Sequence, residues 1–389
     1  MQDKYRILIT EYQDKILSAL WDGQRVLEFR AEPAAQEVLL QVGDIYIGRV
    51  SSVSKNIQAA FFEVSPGLNC FYQMSDGEKL RIGDERPVQI TREAVKTKLA
   101  VCSTKISLAG RYMVLTDDRI QLSVSAKLAR CERERLRTEL AALPEEYGLG
   151  FIVRTNAGDC ALDILRTEAA DLAAQYLELK EIASHRPIYT RLRSGMPAYL
   201  SLLQSIAPEA VEEIVTDLPE IYAEIEAYQQ AQLPSDRMPL RLYRDEQLSM
   251  TKLYRIEHLL EQALSRHVWL PSGGYLVIDV TEALTVIDVN TGKTDGHKKP
   301  QETFLRTNRE AAAEIARQLR LRNLSGIILV DFIDLASKEK QQELYDYLQA
   351  CLREDPVKCV LVDITALNLA EITRKKVRGT LWEQIHGKS

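Results

Sequence analysis

The chain has 389 residues, of which 46% are hydrophobic and 27% charged, and its formal net charge is −6. This length predicts two to four domains, and the composition is that of an ordinary globular protein. No apolar stretch reaches the ~18 residues that a membrane helix needs, and the first residues lack a signal-peptide h-region, so we expect no membrane partner. Six dispersed cysteines without a Cys-x-x-Cys pair exclude a disulfide framework and a zinc ribbon, and they favour a reducing cytoplasm.

The acidic total charge disfavours a nucleic-acid-binding protein only mildly, because the distribution of charge matters more than the sum. Residues 298–322 carry seven Lys or Arg against three Glu, and residues 371–389 carry five against two. The positive charge is therefore concentrated in the C-terminal third. A basic stripe of this kind can contact phosphates on an otherwise acidic protein.

The first part of the chain has the pattern of β-structure. Strand-like segments at 5–10, 15–21 and 25–29 are separated by short turns and predict a hairpin. From residue 43 to about residue 110, short apolar runs alternate with turns, as in a small β-barrel. Helical periodicity begins at 126–143, and the pattern returns to a strand at 150–154.

Two strong amphipathic helices are predicted further along, at 168–182 and 253–266, with several prolines between them. From residue 274 the pattern alternates between strands and helices, as in an α/β domain. The predicted strands are 275–279, 284–289, 327–330 and 358–363, and the predicted helices are 301–322 and 338–352.

Two of these apolar strands end in acidic residues, Asp288 and Asp331. Catalytic groups in open sheets tend to lie at the carboxyl ends of strands, and two carboxylates brought together there repel unless a cation neutralises them. A hard divalent ion such as Mg²⁺ takes oxygen ligands and would resolve that conflict. Position alone does not select this pair, however, because an aspartate at a strand end is often only a turn former or a helix cap. The similarly placed strand-end aspartates are Asp279, Asp334 and Asp363.

A family resemblance does select them. Residues 273–293, which contain Asp-Val-Asn-Thr-Gly, closely resemble the signature of the ribonuclease E/G family, and so do residues 315–334 and 369–376. The first of these stretches looks more like the G-type than the E-type enzymes. The resemblance implies that Asp288 and Asp331 bind the catalytic metal, Mg²⁺ with Mn²⁺ as the alternative ion. It also implies that Asn290, which shares a strand face with Asp288, places the scissile phosphate.

The same resemblance implies a multidomain α/β (α+β) fold. It implies an RNase H-like subdomain without a catalytic set of its own, an OB-fold (S1-like) RNA-binding barrel, a 5′-phosphate sensor region and a DNase I-like α/β catalytic subdomain. In this chain the corresponding ranges are 1–40 with 212–268, then 41–112, 113–211 and 269–389.

Within the barrel, the residues that match the family's RNA-stacking aromatics are Phe61 and Phe71. A base stacked on an aromatic ring is stabilised regardless of sequence. The alternative is that both rings belong to the barrel core. Lys96 and Lys98 are candidate phosphate contacts, although a solvated charged strand would look the same.

Residues 150–158 resemble the family's 5′-phosphate sensor, in which an Arg-Thr pair, here Arg154 and Thr155, grips a terminal monophosphate. A guanidinium fork with an adjacent hydroxyl suits the spread of phosphate oxygens. Upstream, Lys127 stands where the family usually has arginine. A lysine keeps the charge but cannot make the bidentate contact, so we expect weaker 5′-end sensing.

Three functions are compatible with the sequence. The first is a Mg²⁺-dependent endoribonuclease that cleaves single-stranded RNA to 5′-phosphate and 3′-hydroxyl products in rRNA or mRNA processing or decay. The second is an RNA-binding or ribosome-associated protein that cleaves poorly, and the third is a phosphoesterase for small nucleotides. Asp288, Asn290 and Asp331 together favour the first.

The Cys-Pro-x-Cys zinc link of the family is not found before Ser389, so we expect no structural zinc and assume no zinc-bridged dimer.

Overall fold

The computed structural model describes residues 4–34, 40–94, 98–232, 237–292 and 300–387. Within them the protein is a mixed α/β structure whose contacts divide it into two compact units. One unit contains residues 1–35 and 208–389, and the other contains residues 36–207. In the described residues, no helix combines the length and the apolar character needed to cross a membrane.

The strands of the described residues follow one another along the chain with helices between them. In chain order they are β1 (Tyr5–Tyr12), β2 (Lys15–Trp21), β3 (Val26–Pro33), β4 (Ile45–Ser54), β5 (Ala59–Ser65), β6 (Leu68–Gln73), β7 (Glu85–Arg92), β8 (Ala100–Ser103), β9 (Ser107–Ala109), β10 (Met113–Thr116), β11 (Leu122–Val124), β12 (Gly150–Val153), β13 (Arg191–Arg193), β14 (Val211–Thr216), β15 (Leu240–Leu242), β16 (His267–Trp269), β17 (Tyr275–Val280), β18 (Leu284–Asn290), β19 (Gly326–Asp331), β20 (Cys359–Ile364) and β21 (Ala370–Arg374).

The α-helices range from one turn to six. In chain order they are α1 (Arg130–Glu139), α2 (Leu143–Tyr147), α3 (Leu162–His185), α4 (Ala198–Ser205), α5 (Pro219–Gln232), α6 (Met250–Leu253), α7 (Ile256–Leu264), α8 (Pro300–Leu321), α9 (Lys338–Arg353) and α10 (Leu381–His386).

A closed five-stranded barrel forms the first half of the unit 36–207. Its strands are hydrogen-bonded in the order β4-β5-β6-β8-β7, and an additional β4–β7 pairing closes the ring. Alternate side chains point inward, so that Phe62, Cys70 and Tyr72 lie in the barrel core. The barrel is consistent with the OB-like domain expected from the sequence.

A four-stranded sheet in the order β11-β12-β10-β9 forms the second half of this unit. The long helix α3 supplies apolar side chains such as Leu165 and Leu172 to its core, where they pack with Phe151 of β12. The predicted helix at 126–143 is shorter than expected, since it corresponds to α1, and the separate helix α2 begins at Leu143. Pro144 in the first turn of α2 has no N–H to donate to the preceding turn, so one continuous helix cannot form.

In the other unit, one mixed sheet has the order β15-β14-β1-β2-β3, and the predicted N-terminal hairpin is its β1–β2–β3 meander. The predicted helix at 253–266 is interrupted at Arg255, whose φ of 52° is left-handed and separates α6 from α7. Helix α7 nevertheless uses an apolar face as predicted, and Ile256, Leu260 and Ala263 are buried against this sheet.

The second sheet of this unit has the order β16-β17-β18-β19-β21-β20, and each predicted α/β element from residue 275 onward is present. Along β18 the side chains alternate strictly, so Ile287 and Val289 are buried while Val286 and Asp288 are exposed. Helices α8 and α9 cover the buried side, with residues such as Ile315 in the common core. The other side of the strands carries Asp288.

Candidate active site

Asp288 and Asp331 lie side by side at the carboxyl ends of two neighbouring strands. Strands β18 and β19 are parallel, and their register places Asp288 directly opposite Asp331. Both side chains are exposed, on the side of the sheet that α8 and α9 leave open. Neighbouring strands are about 4.8 Å apart, so one small ion can be reached by both carboxylates.

Asn290 joins this pair through its amide. It lies two residues after Asp288 on the same strand face, and its Nδ2 donates a hydrogen bond of 2.8 Å to Asp288 Oδ2. This bond fixes the carboxylate of Asp288 in orientation. The amide nitrogen carries a second N–H that can donate to a phosphate oxygen.

The electrostatics of the pair fit a divalent cation. Partial burial, together with the negative charges of Asp288 and Asp334, raises the pKa of Asp331. A cation between the two carboxylates would relieve that repulsion, and carboxylate oxygens are ligands that Mg²⁺ prefers. In the part of the chain that the structure describes, no group of three or more His, Cys, Asp or Glu side chains is arranged to hold a metal. Among the described residues, the candidate site therefore consists of the two carboxylates that the strand register pairs, Asp288 and Asp331.

Two glycines allow the backbone to close tightly beside the site. Gly292 has a φ of 65°, and a Cβ there would be 2.2 Å from the carbonyl oxygen of Gly273. A Cβ on Gly274 would lie 2.7 Å from the carbonyl oxygen of Asn290. Because only glycine avoids these overlaps, the Gly-Gly and Asn-Thr-Gly motifs are explained by the turn that ends β18 next to the start of β17.

A buried asparagine that the sequence reasoning missed holds the segment that follows Asp331. Asn308 in α8 is fully buried. Its Nδ2 donates to the carbonyl oxygen of Ile333 at 2.7 Å, and its Oδ1 accepts from the N–H of Ile333 at 3.1 Å. This paired contact fixes the backbone two residues beyond Asp331. An asparagine within an apolar helix face is unusual, because its amide competes for backbone hydrogen bonds. Its presence in this helix is the sequence feature that could have indicated a buried polar contact.

The other strand-end aspartates have different surroundings. Asp279 receives two hydrogen bonds of 2.6 Å from Arg266, which lower its pKa. Asp363 accepts a hydrogen bond from the adjacent N–H of Ile364 at 2.8 Å, so its carboxylate binds the backbone of its own segment. Asp334 lies close enough for its charge to raise the pKa of Asp331, although it does not share the paired strand position.

Part of the basic stretch at 298–322 is paired within the protein. Arg317 pairs with Glu314 at 2.6 Å, and Arg320 pairs with Glu28 at 2.9 Å. Both arginines belong to α8, which packs on the side of the sheet away from Asp288, and the buried Arg322 directly follows this helix. Arg306, by contrast, is exposed.

In the barrel, Phe61 and Phe71 lie together on the outer surface. They are directly opposite each other in the β5–β6 pairing, and their ring centroids are 5.9 Å apart in an edge-to-face arrangement. Both are half-buried, whereas the adjacent Phe62 points into the core, so the structure does not support the alternative that they are core residues. Lys98 is exposed at the edge of this barrel, and Lys96 lies outside the described residues.

The sensor residues are partly brought together. Thr155 and Ser125 share a hydroxyl–hydroxyl hydrogen bond of 3.0 Å, and the backbone N–H of Lys127 donates to the same Ser125 Oγ at 3.3 Å. Arg154 Nη1 donates to the carbonyl oxygen of Gly110 at 2.8 Å and to Gln204 Oε1 at 3.3 Å. The guanidinium of Arg154 is thus oriented by two contacts that the sequence did not reveal. The side chain of Lys127 is exposed.

The fold and the paired aspartates together define a multidomain α/β protein with an OB-like barrel and a two-carboxylate centre on an open sheet. Residues 107–377 match the model of the ribonuclease E/G family. Ribonuclease G of Salmonella typhimurium is 33% identical over 379 residues, which cover 92% of this chain and 77% of the relative. Ribonuclease G of Escherichia coli is also 33% identical, with the same coverage. Ribonuclease E of Synechocystis sp. is 34% identical and covers 97% of this chain and 58% of the relative.

This chain belongs to the ribonuclease E/G family. Relatives of both named types match at nearly the same identity. The family predicted from the signature in the sequence is confirmed. Membership confirms the enzyme class inferred from the sequence, an endoribonuclease.

Proposed function

We propose that this endoribonuclease requires Mg²⁺ and cleaves single-stranded RNA in the processing or decay of rRNA or mRNA. Its proposed active-site residues are Asp288, Asn290 and Asp331. The observation that carries the proposal is the register of β18 and β19, which places Asp288 opposite Asp331. The family relationship supports RNA as the substrate and supports a divalent metal in general terms.

In this proposal Asp288 and Asp331 hold the ion, and neither needs to move, because both sit on central strands of a six-stranded sheet. The Mg²⁺ that these two carboxylates would hold would supply Lewis-acid chemistry, namely polarisation of the scissile phosphoryl oxygen and activation of the attacking water. Asn290 keeps Asp288 in place through one N–H and directs its other N–H to the phosphate. Attack of water at phosphorus with loss of the 3′ oxygen leaves a 5′-phosphate on one product and a 3′-hydroxyl on the other.

The modules around this centre have proposed roles as well. The barrel surface around Phe61 and Phe71 would hold single-stranded RNA by stacking, with Lys98, and Lys96 as predicted from the sequence, near the phosphates. Arg154 and Thr155 would recognise a 5′-monophosphate, with Lys127 contributing charge alone. The finer fold assignments, an RNase H-like subdomain and a DNase I-like catalytic subdomain, belong to the same proposal.

A cleavage assay tests the proposal. The protein is incubated with a 5′-monophosphorylated, A/U-rich single-stranded RNA in Mg²⁺ and in EDTA, and products are identified by their end groups. Asp288→Asn and Asp331→Asn should each lower the rate on the order of 1000-fold, because losing a ligand forfeits several kcal/mol of charge stabilisation. RNA binding should persist in both variants.

Asp279→Asn is the matched control, since Asp279 lies on the same open face but is paired with Arg266. It should cleave like the unaltered protein. Equal cleavage by all three variants, or undiminished cleavage in EDTA, would show that the site is elsewhere. RNA binding without any cleavage by the unaltered protein would favour the RNA-binding alternative.

A further inference from the structure

Trp269 is exceptionally exposed for a tryptophan. It ends the edge strand β16, and 71% of its surface is accessible. Its ring lies beside that of Tyr275 in β17, with centroids 5.3 Å apart and planes tilted by 56°. The neighbouring Val268 and Leu276 point into the core, so packing of the sheet is achieved without Trp269. A tryptophan ring offers a large apolar surface together with an N–H donor, which suits it to contacts with a partner.

The strand register connects this ring pair to the catalytic centre. Trp269 is directly opposite Tyr275, and Tyr275 is directly opposite Asn290. Directly opposite residues of antiparallel strands project from the same face of a sheet. Trp269, Tyr275 and Asn290 therefore form one row across the open face. In the next row, Val277 is opposite Asp288, which is opposite Asp331.

The chemistry of the row suits an unpaired nucleotide. The aromatic end of the row offers flat apolar surface, and its other end, Asn290, offers an amide for phosphate. The next row adds the two carboxylates of Asp288 and Asp331 for a cation. Stacking on aromatic rings is how proteins hold single-stranded bases without regard to sequence. Arg266 and Asp279, at the other end of the β16–β17 pairing, are bound to each other in a salt bridge.

We propose that Trp269 and Tyr275 form a stacking platform for an unpaired base of the RNA next to the scissile phosphate. This inference rests on the proposed function, because it takes Asn290 as the group that contacts that phosphate. Tyr275 lies one strand spacing from Asn290 and Trp269 lies two, roughly 5 Å and 10 Å, so the platform holds a nucleotide that flanks the cleaved bond rather than the reacting group itself. Its role is substrate binding and choice of the cleavage position.

An abasic scan tests the platform. Single abasic nucleotides are placed in turn on each side of the cleavage position of a short single-stranded RNA, and kcat/KM is measured in Mg²⁺ for the unaltered protein and for Trp269→Ala. With the unaltered protein, one abasic position should lower kcat/KM by about 5-fold to 150-fold, the loss expected for one base–aromatic stack. Trp269→Ala should show that loss on the intact RNA and no further loss at the same abasic position.

Three matched variants separate stacking from a structural effect. Trp269→Phe keeps a flat ring and should retain the abasic sensitivity, and Tyr275→Leu keeps bulk but should reduce it. Trp382→Ala removes another exposed tryptophan, on α10, and should match the unaltered protein throughout. An equal abasic effect in Trp269→Ala and the unaltered protein, or no sensitive position at all, would overturn the platform.

Two further readouts keep this test independent of the proposed function. Binding of the same abasic RNAs in EDTA measures the platform even if metal-dependent cleavage by Asp288 and Asp331 is disproved. Molar mass by light scattering examines the other use of an exposed tryptophan, a contact between protein chains. A lower mass for Trp269→Ala with an unchanged abasic profile would assign Trp269 to a protein interface and refute the platform.

Discussion

Asp288 and Asp331 are directly opposite each other on parallel strands, although α8 and more than forty residues of sequence separate them. Partial burial and the negative charges of Asp288 and Asp334 raise the pKa of Asp331, as expected where carboxylates are brought close together. The register therefore brings two strand-end residues that are distant in sequence into one candidate site.

The two hydrogen bonds of Asn308 with the backbone of Ile333, here called the clamp, predict that Asn308 affects catalysis although it lies outside the site. Asn308→Ala leaves the partly buried backbone groups of Ile333 without these partners, which costs about 1–3 kcal/mol in the free energy of unfolding. Because the clamped segment directly follows Asp331, we also expect cleavage to slow by about 10-fold to 100-fold, as for residues that orient metal ligands. Urea unfolding and cleavage rates at several Mg²⁺ concentrations measure the two effects.

Gln318→Ala is the control for that clamp, because Gln318 is equally buried in α8 but bonds to Glu314 and Arg322. It should lose stability and keep its cleavage rate in conditions where it is folded. If both variants lose activity only in proportion to stability, Asn308 has no positioning role.

Phe61 and Phe62 are adjacent residues on opposite sides of the barrel wall, and their alanine variants should differ in kind. Phe61→Ala should weaken binding of single-stranded RNA by about 5-fold or more, because one stacking surface is lost, with little change in stability. Phe62→Ala removes a fully buried ring and should cost about 3–5 kcal/mol of unfolding free energy. Fluorescence anisotropy with labelled RNA and urea unfolding provide the measurements; the reverse pattern would contradict the assigned faces.

Arg154 should determine any preference for a 5′-monophosphate. Arg154→Lys keeps the charge but loses the fork that donates to Gly110 and Gln204, so the ratio of cleavage rates on 5′-phosphate and 5′-hydroxyl RNA should fall by about 10-fold or more. Lys127→Ala, at an exposed position, should have a smaller effect on the same ratio. A ratio near one for the unaltered protein would eliminate the sensor role.

The pKa of Glu28 predicts how the free energy of unfolding depends on pH. Although burial alone raises its pKa, the guanidinium groups of Arg30, Arg320 and Arg378 outweigh that effect and lower the pKa of Glu28 from 4.5 to about 2. A carboxyl with a lowered folded-state pKa stabilises the fold above its unfolded pKa, and the stabilisation is lost as pH falls. We expect about 3 kcal/mol to be lost between roughly pH 4.5 and pH 2.

Glu28→Gln should remove that part of the acid dependence and should be less stable than the unaltered protein at neutral pH, because the arginines lose their partner. Urea unfolding at a series of pH values measures this. Glu11→Gln, at an exposed position of β1, controls for the loss of one charge. Parallel pH profiles for Glu28→Gln and the unaltered protein would refute the assignment.

Much of the fold could be predicted from local patterns. The alternation of buried and exposed residues in β18 and the apolar periodicity of α3 follow directly from the spacing of side chains along strands and helices. The predictions were wrong where one residue interrupts a periodic pattern. Arg255 in a left-handed conformation divides one expected helix, and another ends at Glu139, before Pro144 in the first turn of the next helix.

For this protein, the sequence by itself determined the family signature, the order of the elements and the candidate residues Asp288, Asn290 and Asp331, because motifs and periodicity are local properties of a chain. Only the tertiary structure decided which carboxylates meet, since Asp279 and Asp363 end strands just as Asp288 does. It also showed that Asn308 clamps the segment after Asp331 and that Trp269 shares a row with Asn290. These relationships depend on strand register and helix packing, which bring together residues that are distant in sequence.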